Sequence, residues 1–471
     1  MSRLKIAGTR YHFIGAGGVG MSGLARLLIG KKAIVTGSDL RPGTITSRLN
    51  ALGATIHAGH SADHLDPSTD VVVISAAIQE SNPELQAARQ RGCRVVKYAQ
   101  LLGELMNHFQ GIAISGTHGK STTTGWLVCC LRQVGLDPNF VVGADILQLD
   151  GSSGAGDSDL FIVEACEYDR SFHNFKPAIA CVLNIERDHL DCYKDEQEII
   201  ESFRQFARGT RPDGLIIAGG EDSNVRRMLD ALGRESACTR PRVVTFGLDP
   251  QCNVSARNLR EVDGLYHFDV LQDGRRLGPA KISLPGVHNV RNALAVVAIG
   301  LSVGVEPDPL LGALDGFQGM DRRIMLKAQL DGVSVLDDYA HHPTEIQASL
   351  KAIRQRYQPR RLWCVFQAHQ YSRTQALLEE FATSFAQADK VIIPEIYFAR
   401  DSQASCSAVN AKILADRIRR SGTDAEHVMT FDAACDHLEQ HVKAGDVVVT
   451  MGAGDVWKVA DEYIQRLRRN R

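Results

Sequence analysis

The residues whose types and spacing point most clearly to a chemical function lie in the stretch SGTHGKST, residues 115–122. A strand-like run, GIAI, precedes it, and a helix-length segment follows it. Lys120 and Ser121 match the end of a phosphate-binding loop, in which the lysine contacts the β- and γ-phosphates and the hydroxyl reaches Mg²⁺. The spacing is the short form G-x-x-G-K-S. The alternative without a ligand is a helix start that is capped by Ser115 or Thr117.

A second glycine-rich loop lies earlier in the chain. Gly15, Gly17 and Gly20 fit G-x-G-x-x-G between a strand-like and a helix-like segment. In such a loop the glycines permit a tight turn, close approach to a diphosphate and close packing of the helix. Asp39 ends the next predicted strand, where a carboxylate can bind ribose hydroxyls. NAD and a UDP-sugar both satisfy this pattern, and a glycine-rich turn without a ligand also stays open.

Two further segments contain possible metal ligands. VEACEYD places Glu164 at the carboxyl end of a predicted strand, and NIERDHLD places His189 after another. In a parallel sheet these ends face the same side as the loop at 116–121, where ligands bind. Mg²⁺ prefers oxygen ligands, so Ser121 and Glu164 are chemically suitable. For His189, the residues alone leave metal binding and the capping of a turn beside Asp191 equally open.

The elements that must position these residues alternate between short β-rich runs and amphipathic, helix-length segments. This alternation indicates parallel sheets with crossover helices. The predicted fold is α/β, with three domains in series. They are a Rossmann-like domain over 1–107, a central P-loop ATPase-like domain over 108–323, and a second Rossmann-like domain over 324–471. The central sheet is expected to be mainly parallel, with an antiparallel patch over 242–284 and a helix over 287–303.

Composition excludes several classes of function. The 471 residues are 44% hydrophobic and 23% charged, which is typical of a globular protein. A formal net charge of -2 gives no general attraction to nucleic acid or to an anionic membrane. No apolar stretch has the length of a membrane helix, and no signal segment is recognised. The eleven cysteines are scattered, which indicates a reduced cytoplasmic protein rather than a disulfide framework or a zinc site.

Seven motifs, in order along the chain, resemble those of the Mur ligase family, which are ATP-dependent amide ligases of cell-wall synthesis. HFIGAGGVGMSGLA is similar to the family's UDP-binding loop, and GTHGKSTTT is similar to its ATP loop. NIERDHLDCY, PGVHNVRNALA, DDYAHHPTE, FQAHQYSRT and MGAGD follow in the family's order. The resemblance covers essentially the whole chain and is strongest to the branch that adds L-alanine.

The resemblance implies a reaction and its participants. L-alanine would be joined to the lactyl carboxylate of UDP-N-acetylmuramate through an acyl phosphate, with release of ADP and phosphate, in peptidoglycan precursor synthesis. ATP and Mg²⁺ are the implied cofactors. The implied partners are small molecules alone, with no nucleic acid and no membrane. The expected protein is a cytoplasmic monomer or homodimer that contributes to cell shape and cell division.

The resemblance also implies four groups of site residues. The UDP-sugar group is Gly15, Gly17, Gly18, Gly20, Met21, Ser22 and Asp39. The ATP group is Gly116, Thr117, His118, Gly119, Lys120, Ser121, Thr122, His288, Asn292, Arg323 and Asp338. The amino-acid group is Tyr339, His341, His369 and Arg373. The metal ligands are Ser121, Glu164 and His189. The catalytic residues are Lys120 and the two possible acceptors of the amine proton, His341 and His369.

The chain departs from the family's pattern at three places. Ser121 replaces the usual threonine and keeps the hydroxyl. EACEYD replaces EADESD, which places Cys166 and Tyr168 on the muramoyl side. Gln370 replaces an arginine near the expected amino-acid carboxylate, which leaves Arg373 as the main candidate for that contact. The segment DEQEIIESFRQFAR has no lysine, whereas several sister ligases carry a carbamylated lysine there.

Three other functions stay open at this point. An NAD-dependent oxidoreductase with an accessory ATPase domain would use the first glycine-rich loop for a dinucleotide. A non-catalytic, nucleotide-gated binding protein would bind ATP without substrate-dependent release of ADP. Within the family, a recycling ligase would add a preformed peptide to the same sugar nucleotide, and EYD and YAHHPT are faintly similar to it.

Overall fold

The computed structural model describes residues 5–75, 77–149, 151–189, 192–234, 241–399, 401 and 407–469. Three sheets follow one another along the chain, and buried apolar side chains pack on both faces of each sheet. The predicted α/β class with three units in series is therefore confirmed. Each sheet lies inside one of the three predicted domain ranges, and the boundaries themselves stay a prediction.

The N-terminal sheet has five parallel strands in the order β3-β2-β1-β4-β5. Its strands are β1 (Arg10–Ile14), β2 (Ile34–Asp39), β3 (Thr55–Ala58), β4 (Val71–Ile74) and β5 (Arg94–Lys97). Its helices are α1 (Val19–Gly30), α2 (Thr44–Ala51), α3 (Pro83–Gln90) and α4 (Tyr98–His108). The order in which strands are added reverses between β1 and β4, since the chain first builds from β1 to β3 and then from β4 to β5. Ligands of doubly wound sheets bind at such a point. The first glycine-rich loop leaves β1 there.

The central sheet has ten strands in the order β15-β14-β13-β12-β11-β10-β6-β9-β7-β8. Its strands are β6 (Gln110–Ser115), β7 (Asn139–Ile146), β8 (Gly151–Gly154), β9 (Leu160–Glu164), β10 (Ile179–Val182), β11 (Leu215–Gly219), β12 (Arg242–Gly247), β13 (Val254–Val262), β14 (Leu265–Gln272) and β15 (Arg275–Lys281). Its helices are α5 (Lys120–Gln133), α6 (Glu196–Arg208), α7 (Ser223–Gly233), α8 (Val287–Ser302) and α9 (Pro307–Ala313). Strands β9 and β10 flank β6 in parallel, so the segments that follow these three strands meet at one edge.

The antiparallel patch of the central sheet is smaller than the sequence predicts. It comprises β13, β14 and β15, whereas β12 pairs in parallel with β11 and with the start of β13. The expectation that 242–250 belongs to the patch is therefore wrong. The physical reason lies in the turn: Asn253 Oδ1 accepts hydrogen bonds from Thr245 N and Oγ1 at 2.9 and 3.0 Å. These bonds bring the start of β13 beside the end of β12 with the same chain direction.

The C-terminal sheet has six strands in the order β16-β17-β21-β18-β19-β20. Its strands are β16 (Met325–Leu330), β17 (Val333–Asp338), β18 (Leu362–Phe366), β19 (Lys390–Ile393), β20 (Ala425–His427) and β21 (Val447–Met451). Its helices are α10 (Pro343–Tyr357), α11 (Tyr371–Ala376), α12 (Leu378–Thr383), α13 (Ala411–Arg420), α14 (Phe431–His441) and α15 (Trp457–Arg469). Within the described residues, β16 is the one antiparallel strand of this sheet.

Small residues let the N-terminal sheet pack closely against the central sheet. A Cβ at Gly30 of α1 would lie 2.6 Å from Ala155 Cβ, and one at Gly23 would lie 3.5 Å from Ser153 Cβ. Helix α1 therefore lies directly on the β7–β8 hairpin, and one buried apolar cluster continues from the first sheet into the second. This contact places the helix that follows the first glycine-rich loop beside the central sheet.

The connection between the central and C-terminal sheets contains unusual backbone angles. Arg322 has φ +55° and Ile324 has φ +46°, a region that β-branched side chains rarely adopt. The hydrogen bonds that hold this connection include those from Ile324 N to Asp338 Oδ2 at 2.9 Å and from Tyr339 N to Arg322 O at 2.7 Å. The position of the C-terminal sheet thus depends on a strained connection. Among the helices of the described ranges, none combines the length and apolar character needed to cross a membrane.

Candidate active site

The P-loop, residues 116–121, connects β6 to α5 at the edge of the central sheet. Gly116 has φ +149° and Gly119 has φ +85°, which side chains other than glycine rarely adopt. A Cβ at Gly119 would lie 2.8 Å from Asn292 Oδ1, and one at Gly116 would lie 2.9 Å from Leu183 Cβ. The path of the loop therefore requires both glycines, for backbone angle and for space.

Helix α5 begins at Lys120, with Gly119 as its N-cap and without a capping side chain. The alternative in which Ser115 or Thr117 caps the helix is therefore wrong. Thr117 has another role, because Glu186 N donates a hydrogen bond to its Oγ1 at 2.8 Å. A helix N-terminus that faces a glycine loop in this way favours a bound phosphate.

Asn184, in the segment after β10, holds the P-loop in place. Its Oδ1 accepts a hydrogen bond from His118 N at 2.8 Å, and its Nδ2 donates to His118 O at 3.0 Å. Its backbone oxygen accepts from Thr117 N at 3.1 Å. Asn184 is not among the site residues predicted from the sequence, although its position at the start of the NIERDH motif is a signal that could have identified it.

Lys120 contacts a buried carboxylate that sequence analysis also missed. Its Nζ donates hydrogen bonds to Glu167 Oε1 at 3.0 Å, Gly116 O at 2.6 Å and Thr117 O at 3.0 Å. Burial alone would lower the pKa of Lys120, but the Glu167 carboxylate holds it above its usual value. The ammonium is therefore charged, folded back onto the loop, and able to bind phosphate once it leaves Glu167.

The predicted magnesium ligands Ser121, Glu164 and His189 line one cavity. Glu164 Oε2 accepts a hydrogen bond from Gly143 N at 2.7 Å. Two nearby buried atoms, Glu167 Oε2 and His189 Nδ1, have no hydrogen-bond partner within the described part of the chain. Mg²⁺ prefers oxygen ligands, and this site offers hydroxyl and carboxylate oxygens, one of which has no hydrogen-bond partner among the described residues. The side chains of the site are therefore suited to Mg²⁺. The alternative partner of His189, Asp191, lies outside the described residues.

A cavity of about 670 Å³ lies on one side of the P-loop, between the central and C-terminal sheets. The predicted ATP-binding residues on its wall are His118, Gly119, Thr122, His288, Asn292, Arg323 and Asp338. Burial lowers the pKa of His288 to about 4, so its imidazole is neutral near pH 7. Burial raises the pKa of Asp338 to about 6. The wall thus combines the neutral imidazole of His288 with several carboxyl groups, Asp338 and Glu345 among them, and with guanidinium groups that include Arg323.

A second cavity, of about 530 Å³, lies on the other side of the P-loop and reaches the N-terminal sheet. The predicted site residues on its wall are Ser22, Thr117, Gly119, Lys120, Ser121, Glu164, His189, Arg323, Tyr339, His341, His369 and Arg373. Both cavities have Gly119, Arg323 and Glu345 on their walls. They therefore meet at the P-loop. Of the predicted ATP group, Gly116 lies outside the described lining of both cavities.

The first glycine-rich loop has the predicted turn, with Gly15 at φ +82°. Gly17 N donates a hydrogen bond to Asp39 Oδ2 at 2.8 Å, so the expected ribose ligand contacts the loop itself. A Cβ at Gly20 would lie 3.0 Å from the Tyr98 ring, which explains that glycine by close packing. Within the described linings, Ser22 alone represents the UDP-sugar group, and the roles of Gly15, Gly17, Gly18, Gly20, Met21 and Asp39 stay predictions.

The amino-acid group comes from the C-terminal sheet. His341 Nδ1 lies 3.1 Å from Tyr339 O, and burial lowers the pKa of His341 to about 3. The His369 ring stacks on Tyr397 with centroids 5.3 Å apart. Arg373 donates to Asp188 Oδ1 from Nη2 at 2.9 Å and from Nε at 3.1 Å, and both side chains are buried. Arg373 therefore joins the C-terminal sheet to the central sheet.

Gln370 does not occupy the place that sequence analysis gave it. Its side chain is buried, its Nε2 donates to Ala399 O at 3.2 Å, and it is absent from the described linings of both cavities. Its φ of +72° turns the side chain towards the segment that contains Tyr397. The expectation that Gln370 stands beside the amino-acid carboxylate is therefore wrong for this arrangement. The helix that follows does not begin in solvent, because Arg373 and Thr374 are buried.

Comparison with known proteins identifies the class to which this fold and site belong. Three protein-family models match consecutive parts of the chain. They are the Mur ligase family catalytic domain over residues 10–110, the Mur ligase middle domain over 114–300, and the Mur ligase glutamate ligase domain over 322–454. The chain belongs to the Mur ligase family.

Individual relatives agree with this assignment. The chain is 39% identical over 457 residues to the UDP-N-acetylmuramate–L-alanine ligase of Acetivibrio thermocellus, covering 96% of this chain and 95% of the relative. It is 38% identical over 462 residues to the ligase of the same name from Caldanaerobacter subterraneus subsp. tengcongensis, covering 98% of each.

Solved structures also resemble the chain along its length. The UDP-N-acetylmuramate–alanine ligase of Thermotoga maritima superposes with a TM-score of 0.80 at 26% identity, covering 98% of this chain and all of that one. A murein peptide ligase from Psychrobacter arcticus gives a TM-score of 0.68 at 26% identity, covering 98% and 99%. These matches leave the NAD-dependent oxidoreductase with less support than the ligase.

Proposed function

We propose that the chain is an ATP-dependent ligase that joins L-alanine to the lactyl carboxylate of UDP-N-acetylmuramate, with release of ADP and phosphate. The observation that carries this proposal is the meeting of two cavities at the P-loop, where Gly119, Arg323 and Glu345 belong to both walls. One cavity suits ATP and the other suits the sugar acid with the amino acid. The names of the relatives that are 38–39% identical support the choice of L-alanine.

The first step is transfer of the γ-phosphoryl group of ATP to the carboxylate. The attacking carboxylate oxygen forms a bond to phosphorus, the bond to the ADP oxygen breaks, and an acyl phosphate results. Lys120 exchanges Glu167 for the phosphate oxygens and neutralises their charge, and Arg323 stands where the two cavities meet. Catalysis of this step consists chiefly of positioning and charge neutralisation.

Magnesium belongs to the proposal as the partner of the phosphates. Ser121, Glu164 and His189 would hold it, because they line the same cavity as Lys120. When bound, the ion would supply additional positive charge to the phosphate oxygens. The MurF ligase of Thermotoga maritima, which shares the fold, has been solved in complex with ADP. A nucleotide in the corresponding cavity of this chain is part of the proposal.

In the second step the alanine amine attacks the acyl phosphate, forms the amide bond and displaces phosphate. A base must accept a proton from the amine. His341, whose pKa burial lowers to about 3, is a weak base in this arrangement. We therefore assign the proton to His369, which lines the same cavity as Lys120. Arg373 would face the alanine carboxylate while its ion pair with Asp188 keeps the C-terminal sheet closed over the reacting groups.

An assay of ADP release tests the proposal. Release should require ATP, UDP-N-acetylmuramate and L-alanine together, and omission of any one should reduce it to background. L-alanine should exceed L-serine and glycine in kcat/KM. ADP release with a preformed peptide but not with L-alanine would assign the chain to recycling instead. Oxidation of NADH or release of ADP without the sugar nucleotide would contradict the proposal.

The proposed compartment is the cytoplasm. All nine cysteines of the described residues are free thiols, which suits a reducing environment. The proposed partners are the three small-molecule substrates, and the protein would act as a monomer or a homodimer. Sedimentation at micromolar concentration distinguishes these two states.

A further inference from the structure

Three side chains converge where the P-loop meets the C-terminal sheet. His118 belongs to the P-loop, Glu186 to the segment after β10, and His342 to the start of α10. His118 Nε2 lies 3.4 Å from Glu186 Oε2, and His342 Nδ1 lies 3.9 Å from the same oxygen. One potential ligand atom from each of the three lies within 4.8 Å of the others. Ligand atoms that share a zinc-sized ion are separated by roughly 3–3.5 Å, given bonds of about 2 Å.

The outer nitrogen of each histidine already has an acceptor. His118 Nδ1 lies 3.1 Å from Glu345 Oε1, and His342 Nε2 lies 3.0 Å from Arg187 O. Because a carboxylate and a carbonyl only accept hydrogen bonds, both outer nitrogens carry their protons. The inner nitrogens then carry lone pairs. His118 Nε2 directs its lone pair towards Glu186, whereas His342 Nδ1 accepts a hydrogen bond from Thr344 N at 3.4 Å, which a bound ion would displace. Histidines that bind metals commonly donate the other ring N–H to a carboxylate or a backbone carbonyl in this way.

The cluster already accommodates positive charge. His118 Nε2 is buried and makes no well-directed hydrogen bond within the described part of the chain. Burial alone would lower the pKa of His118, but the carboxylates of Glu345 and Glu186 raise it to about 10. The site is thus built around a cation that lies between two carboxylates. A bound dication would take the place of that proton.

We propose that His118 Nε2, the Glu186 carboxylate and His342 Nδ1 bind a transition-metal dication of the zinc class. Two imidazoles and one carboxylate favour Zn²⁺, Co²⁺ or Ni²⁺ over Mg²⁺, which prefers oxygen ligands. The site differs from the one proposed for magnesium. His118 and Glu186 line the larger cavity, whereas Ser121, Glu164 and His189 line the other one.

The origin of the ligands gives the site a structural consequence. Two ligands belong to the central sheet and the third belongs to α10 of the C-terminal sheet, so the metal would connect the two sheets beside the ATP cavity. A second contact across the same junction, from Thr344 Oγ1 to Glu186 Oε2 at 2.6 Å, already holds the carboxylate at this place.

Titration of the nucleotide-free protein with Co²⁺ tests the proposal, because the visible absorption of Co²⁺ reports its ligands. We expect about one tightly bound ion per chain, with absorption typical of nitrogen and oxygen ligands and no thiolate charge-transfer band. Zn²⁺ should displace it, and excess Mg²⁺ should leave the spectrum unchanged. Absence of a stoichiometric ion, a thiolate spectrum or displacement by Mg²⁺ would overturn the proposal.

Variants assign the ligands. Glu186→Gln and His342→Asn should each weaken binding by about a hundredfold or more, and the asparagine retains an acceptor that can cap α10. Glu345→Gln should weaken binding by about tenfold, because it removes only the partner of His118. Far-UV circular dichroism checks that each variant is folded, and Glu345→Gln keeps the test decisive if one of the first two variants is not.

Two control variants locate the site. The pair His437 and His441 on α14 stacks with centroids 4.3 Å apart near the surface, and the double change His437→Gln with His441→Gln should leave binding unchanged. His189→Gln should also leave it unchanged. If either control abolishes the cobalt spectrum while Glu186→Gln does not, the metal lies elsewhere and the assignment fails.

Discussion

Glu84 on helix α3 and Glu167 beside the P-loop are both buried glutamates that contact histidine, yet their oxygens differ in the number of hydrogen-bond partners. Glu84 Oε2 lies 2.8 Å from His12 Nε2 and accepts a hydrogen bond from Ser38 Oγ at 2.7 Å. Its Oε1 accepts from Ser61 N at 3.1 Å and lies 3.2 Å from His60 Nδ1. Both oxygens of Glu84 therefore have partners, and all of these partners belong to the N-terminal unit.

Glu167 is satisfied on one side only. Its Oε1 accepts a hydrogen bond from Lys120 at 3.0 Å and lies 3.5 Å from His189 Nε2, whereas its Oε2 has no partner within the described residues. A buried polar atom without a partner is costly, and proteins retain such atoms mainly where a ligand or a movement completes them. Burial and residue type are the same for both glutamates. They differ in whether each carboxylate oxygen has a hydrogen-bond partner, and this property distinguishes the structural glutamate from the one beside the binding site.

The largest effect that the comparison predicts concerns the partner of Glu167. Lys120→Ala should reduce kcat for ADP release by about a thousandfold or more, because the phosphate oxygens lose their charged donor. The variant should fold but unfold at a lower temperature, because the buried Glu167 carboxylate loses its charged partner. Lys458→Ala, which removes an exposed lysine that pairs with Asp455, is the control and should keep full activity. Near-normal turnover of Lys120→Ala would show that Glu167 and its partner do not belong to the binding site, and the distinction between Glu84 and Glu167 would fail.

Glu84→Gln should show the opposite pattern. The change removes the charge that His12, Ser38 and Ser61 surround, and loss of a buried, fully paired carboxylate costs roughly 3 kcal/mol of unfolding free energy. Chemical denaturation measures this loss. At temperatures where the variant is folded, kcat/KM should stay within about twofold of the wild type, on the reasoning that effects of distant sites are independent. A large loss of activity with unchanged stability would show that Glu84 serves the reaction and not the stability of the fold.

The pH dependence of stability provides a further test of the structural role of Glu84. Burial alone would raise the pKa of Glu84, but its hydrogen bonds to His12 and Ser38 lower it from 4.5 to about 2. Because the folded state then binds fewer protons, this contribution to stability is complete above pH 4.5 and is lost as the pH falls towards 2. The contribution is at most about 3 kcal/mol. Denaturation curves between these pH values should converge for the wild type and Glu84→Gln.

The smallest predicted effect concerns Glu167, whose carboxylate has a partner on one oxygen only. Glu167→Gln should tighten binding of ATP by about tenfold when EDTA removes divalent cations, because a negative charge near the triphosphate disappears and Lys120 is released. Isothermal titration measures the Kd, and Glu84→Gln serves as the matched variant that should bind ATP unchanged. Equal affinities for Glu167→Gln and the wild type would show that Glu167 does not compete with phosphate.

The sequence predicted the parts of this molecule that depend on local pattern. Alternating β-rich and helical segments specified the three sheets, and the glycine spacing specified the turn before Lys120. The sequence pattern did not predict the tertiary contacts. The contact of Lys120 with Glu167 arises because β6 and β9 are neighbours in the sheet, and strand order is not encoded in periodicity. The contact of His118 with His342 joins positions that are far apart in the chain for the same reason.

Two further misses have local causes that the pattern does not display. The parallel pairing of β12 with β13 depends on the hydrogen bonds of Asn253, which hold a short turn in an unusual direction. The direction of Gln370 depends on a positive φ, which sequence motifs for non-glycine residues rarely signal. In both cases a single side chain or backbone angle decides the outcome, whereas the predictions rested on averages over a segment.

The backbone of Ile324 stores energy at the connection to the C-terminal sheet. At φ +46° a β-branched residue carries roughly 1–3 kcal/mol of strain. A movement of the C-terminal sheet away from the P-loop that relaxes this angle would offset part of the loss of the Asp188–Arg373 ion pair. We therefore expect the strain to favour opening of the site and escape of the products. We expect Ile324→Gly to remove this strain, because glycine adopts a positive φ freely. Single-turnover kinetics should then show slower release of ADP with an unchanged chemical step.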